Sequence, residues 1–171
     1  DGMAGDTEVR EGKTVRRLRS LAHLARRTAC TNRMADTECI ELTFLEATPN
    51  NCALEDPVNL NLEFSTSREL PEAKWVIRFM ADSASKRKIV VLGETPLQHY
   101  DVGGPYAMSF SADEIDVSAL KRHVLTNVGL LQAILYSGEE EIVQISCVTQ
   151  VSALPESEGG GLVRSIFSPL D

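Results

Sequence analysis

From Cys39 to Val151 the chain is built of short segments in which apolar, often β-branched or aromatic residues alternate with polar ones. Alternation with a period of two puts successive side chains on opposite faces of an extended backbone, so each segment reads as a strand with one face to bury. Helical spacing is scarce. Strands are expected near residues 39–46, 58–66, 74–81, 87–93, 105–111, 126–136 and 141–151. The breaks between them carry turn formers: Pro49 with Asn50 and Asn51, Pro71 after Glu69, and Gly103, Gly104 and Pro105 after Asp101. Ser137, Gly138 and Glu139 suit a hairpin between the last two strands. Residues 112–123 leave room for a helical turn. The fold class is therefore all-β, an immunoglobulin-like β-sandwich of about seven strands with short flexible tails. A chain of 171 residues, 43% of them hydrophobic, suffices for one such core and not for two ordinary domains.

Charge divides the chain unevenly. Residues 1–33 hold eight Lys/Arg against four Asp/Glu, leaving nine against twenty-one in residues 34–171. Within the basic leader, Leu18, Leu21, Leu24 and Ala25 have helical spacing. Residues 13–27 thus suit an amphipathic helix for an acidic partner or membrane surface, a transit peptide, a nuclear-import cluster, or a disordered leader outside the fold. Met34 is a candidate natural start. The domain proper is placed at 34–151. Residues 152–171 read as an acidic Gly-rich linker, with Glu156, Glu158 and Gly159 to Gly161, followed by a short apolar tail that either is disordered or docks on the domain or on a partner. Strong net negative charge repels phosphate backbones and attracts basic partners, so the main domain is not expected to bind nucleic acid directly. No apolar run reaches the length of a membrane span, and the protein is expected to be intracellular, in nucleus or cytoplasm.

Catalytic signatures are absent from the sequence. It contains no nucleophile elbow, phosphate loop, dinucleotide fingerprint or HExxH helix. Cys30, Cys39, Cys52 and Cys147 lack metal-ligand or disulfide-framework spacing, and His23, His99 and His123 stand far apart in sequence. No catalytic residue, cofactor or metal site is assigned. Glu139, Glu140 and Glu141 fall at a hairpin tip where carboxylates stay solvated, and Lys86 to Lys88 suit either a local contact to an acidic partner or the protection of a strand edge.

The last two strands are apolar on both faces. Leu131, Ala133 and Leu135 alternate with Leu130, Ile134 and Tyr136, and Val143, Ile145 and Cys147 with Ile142 and Val148. A sandwich strand ordinarily wets one face, so unless the fold covers both, one of these faces is a patch for a partner; the alternative is a pair of strands simply rich in β-formers and wetted at Gln132 and Gln144.

Over residues 34–151 the order and spacing of segments resemble the anti-silencing-function histone chaperone family. The resemblance rests on LEATP at 45–49, LNLEF at 60–64, ELPE at 69–72, WVIRF at 75–79, GGPYAMSFSAD at 103–113 and VGLLQAILYSGEE at 128–140. It implies the immunoglobulin-like fold and a non-enzymatic protein-binding role, in which the face of the last two strands holds the core histone pair. Carried over by position, the partner-binding residues would be Gly129, Leu131, Ala133, Val143 and Ile145. The chain departs from the family there: Gly129 stands at a valine position and Val143 at an arginine position, while Leu131 keeps the family's type. The expected function is a protein-binding module for a basic partner, core histones among the candidates. The alternative is a structural or adaptor subunit of a larger assembly, cytoskeletal or ciliary for example, using the same sandwich without histones.

Overall fold

The computed structural model describes residues 39–170; the basic leader and the candidate start at Met34 lie outside the described residues. The chain runs through β1 (Ile40–Thr48), β2 (Cys52–Ala53), β3 (Val58–Thr66), β4 (Leu70–Ala81), β5 (Lys88–Glu94), β6 (Gln98–Tyr100), β7 (Gly103–Ala112), α1 (Arg122–Leu125), β8 (Gly129–Ser137), β9 (Glu140–Ala153) and β10 (Leu162–Phe167). All seven expected strands are present, as β1, β3, β4, β5, β7, β8 and β9, with ends within a few residues of the expected ranges. The short helix sits at the end of the segment expected to hold a helical turn.

The strands pair antiparallel in two sheets. A small sheet has the order β1-β3-β7, and a large one the order β2-β10-β9-β8-β4-β5, with β6 alongside β4. Alternation does what period two requires: along β3, Val58, Leu60, Leu62 and Phe64 are buried, while along β4 Ala73, Trp75, Ile77, Phe79 and Ala81 are. These inner faces share one core. The Phe64 ring meets the Trp75 ring edge-on across the two sheets, with centroids 5.4 Å apart, and Tyr100 lies 5.1 Å from Phe64 in the same geometry.

After 151 the flexible linker and disordered tail do not hold, whereas docking of the apolar end on the domain does. Leu162–Phe167 is a strand paired along β9, from Leu162 opposite Ala153 to Phe167 opposite Val148. The Gly-rich stretch makes the return: Gly159 and Gly160 take left-handed φ of 96° and 62°, and the Leu154 amide donates to the Gly161 carbonyl at 2.8 Å. Glycine content that reads as flexibility here permits a tight connection. Of the residues of β10, Arg164 and Ile166 are buried.

Arg164 is wholly buried, and its hydrogen bonds go to backbone carbonyls. Its Nη1 donates to the carbonyls of Leu54 at 2.7 Å, Asp56 at 2.8 Å and Ala53 at 3.3 Å, and its Nη2 donates to that of Pro57 at 2.7 Å. One guanidinium therefore organises the turn between β2 and β3. The far edge of β10 is closed as well, because the Asn50 side-chain amide both donates to the Ile166 carbonyl and accepts from its N–H, each at 2.8 Å. That pairing imitates a further strand and leaves no open edge at Ile166.

Candidate partner-binding face

The partner-facing residues expected from the sequence lie on the wrong side of their strands. Leu131 and Ala133 are 1% and 2% exposed, Ile145 and Val143 8% and 9%, and Gly129 is buried. The register explains this: Leu131 is opposite Phe79 and Cys147, Ala133 is opposite Ile77 and Ile145, and Leu135 is opposite Trp75 and Val143. This is the core face of the sheet. A shift of one position exchanges the two faces of a strand, and where both are apolar the sequence carries no signal to choose between them.

Gly129 has a local reason. A Cβ there would stand 2.8 Å from the Met80 carbonyl oxygen and 3.0 Å from the Phe79 ring, so β8 can pass β4 at this point only without a side chain.

The opposite face of the same strands is open at one end, whereas Gln132 and Ile134, midway along β8, are buried on it at 1% exposure each. Its upper row runs across five strands as Ile89, Met80, Leu130, Val148 and Phe167, each opposite the next. Strands spaced about 4.8 Å apart make this stripe roughly 19 Å long. Ile89, Val148 and Phe167, together with neighbouring Val91 and Val128, are 45–65% exposed. Large apolar side chains left in water on one face are the mark of an interaction surface.

Next to the stripe lies a hydrogen-bonded polar ladder. Arg78 donates from Nε to Gln132 Oε1 at 2.9 Å and from Nη2 to Gln144 Oε1 at 3.2 Å, and Gln132 Nε2 donates to Ser146 Oγ at 3.0 Å. Gln132 is buried within this network. Beyond it come Val76 and Ile134, which face each other, and then the hairpin end, where Glu139, Glu140 and Glu141 are exposed. Lys74 pairs with Glu94 at 2.7 Å and Arg68 with Glu140 at 3.0 Å on this margin. The face thus grades from an apolar stripe through a hydrogen-bonded polar band to an acidic rim.

Elsewhere, a groove of about 400 Å³ lies at the α1 end of the sandwich, lined by Leu54, Val117, Leu120, Leu125 and Leu162 among others. Glu55, Ser118 and Arg122 also line it. Burial raises the Cys52 thiol above the ordinary range, with Arg164 opposing, and so keeps it a thiol at neutral pH. No helix among the described residues is long and apolar enough to cross a membrane.

No protein-family model matches the chain, and neither does any curated protein sequence.

Proposed function

We propose that the protein is a non-enzymatic binding module that seats a basic, amphipathic partner on the outer face of β5, β4, β8, β9 and β10. The observation that carries this is the exposed stripe from Ile89 to Phe167 with the acidic hairpin at the other end of the same face. An apolar stripe supplies short-range burial, and exposed carboxylates steer basic partners at long range. Core histones have the required chemistry, and the resemblance of residues 34–151 to the anti-silencing-function chaperones supports them as the partner.

The test is retention of purified core histones by the immobilised full chain at low and at high salt, beside a Val148→Asp, Phe167→Asp double variant. Retention is expected from the wild type, weakened by salt and abolished in the variant. No retention at low salt would sink the histone reading and leave the adaptor role, whereas full retention by the variant would remove this face from consideration.

A further inference from the structure

We propose that Glu69, His99 and Asp101 form a surface site for one divalent cation of the zinc class. His99 Nε2 lies 3.3 Å from Glu69 Oε1 and 3.3 Å from Asp101 Oδ1, and the three donor atoms all fall within 4.8 Å of one another. In a tetrahedral zinc site with bonds of about 2.0–2.2 Å, neighbouring ligand atoms stand roughly 3.3–3.6 Å apart. The two distances at His99 already match such an edge. One imidazole nitrogen with two carboxylate oxygens is a donor set that suits zinc better than calcium or magnesium, which take more oxygens. Three protein ligands leave one position open.

The backbone prepares this arrangement. Leu70 pairs with Tyr100, and Glu69 and Asp101 each stand one residue beyond that pair, so the two carboxylates come together at the end of the β4–β6 ladder. Like charges side by side across strands destabilise each other, and a cation between them reverses the sign of that interaction. His99 lies two residues before Asp101 and so extends from the same side of its strand. Both flanks are tied to the core. Tyr100 is buried against Phe64, and Tyr106, whose ring lies 4.9 Å from that of Tyr100, donates its hydroxyl to the Asp101 carbonyl at 3.0 Å. Anchoring of this kind places ligands before the ion arrives. The ligands themselves are open to solvent, at 49%, 63% and 82% exposure for His99, Glu69 and Asp101, so an ion can reach them without any opening of the fold.

Cobalt(II), a spectroscopic stand-in for zinc, tests the site in the full chain. Titration should show a single equivalent bound without thiolate-to-cobalt charge transfer and displaced by zinc. His99→Ala should weaken the binding about tenfold or more, Glu69→Gln and Asp101→Asn should weaken it as well, and His123→Ala should leave it unchanged. Far-UV circular dichroism should be the same for every variant, since the three side chains are exposed. Absence of saturable binding, binding carried by the cysteines, or equal affinity in His99→Ala would each overturn the proposal and leave the cluster an ion-pair network only.

Discussion

Replacing Arg164 by methionine asks whether the buried guanidinium holds the fold together or is merely tolerated by it. The side chain is wholly buried and makes four hydrogen bonds, three of them at 2.7–2.8 Å, all to carbonyls of residues 53–57. Hydrogen bonds to a charged group contribute about 1.5–3 kcal/mol each, while desolvation of the cation opposes them by several kcal/mol. Burial lowers the Arg164 pKa, with Cys52 and Asp56 acting in the other direction; the group stays protonated at neutral pH. Methionine removes the desolvation penalty and keeps most of the volume, but it leaves the carbonyls around the guanidinium without donors, at about 1–3 kcal/mol for each that stays buried. A net loss of about 3–5 kcal/mol is expected. Arg164→Lys keeps the charge on a point donor that cannot span the turn from Ala53 to Pro57, so about half that loss is expected. Denaturant unfolding of the three proteins measures the difference, and amide exchange of residues 52–57 locates it. A methionine variant within about 1 kcal/mol of wild type, with exchange in the turn unchanged, would refute the reasoning, because the carbonyls would then have found other donors.

Gly129→Val should destabilise by about 2–3 kcal/mol or more in thermal unfolding, since its Cβ would meet the Met80 carbonyl and Phe79 ring. The assignment of faces can be checked on neighbouring residues of β9. Val148→Lys should change stability by no more than about 0.5 kcal/mol, whereas Cys147→Lys should prevent stable folding. Asn50→Ala removes both bonds to Ile166 and should cost about 1–2 kcal/mol, with faster amide exchange in β10. Burial raises the Tyr100 pKa, the Trp75 side chain opposing it. The folded state therefore holds the phenolic proton more tightly than the unfolded one, and the resulting stability is complete below the unfolded tyrosine value of about 10 and lost as pH rises through the folded value. Unfolding measured across the alkaline range should show this loss, and Tyr100→Phe should diminish it.

Strand positions were legible because their signal is local. Each of β3, β4 and β7 carries its own period-two alternation, and Pro49, Pro71 and the Gly103–Pro105 turn bound them without reference to the rest of the chain. β10 was not legible for the opposite reason. One of its two buried residues is an arginine, which polarity assigns to solvent, and the carbonyls that make it acceptable come from residues more than a hundred positions earlier. Asn50 was recognised as a turn former, but its closing of the β10 edge depends on a partner 116 residues away. His99 stood alone in the sequence because Glu69 is thirty positions distant; the β4–β6 pairing joins them.

By itself the sequence determined the all-β class, the seven principal strands, the acid balance of the domain and the prominence of the last two strands as apolar elements. These follow from neighbouring residues and from summed composition. Only the tertiary structure decided which face of β8 and β9 is core and which is open, because two apolar faces satisfy the same alternation and cross-strand register alone breaks the tie. That choice moved the candidate surface from Leu131, Ala133 and Val143 to Leu130, Val148 and Phe167, on the other side of the sheet.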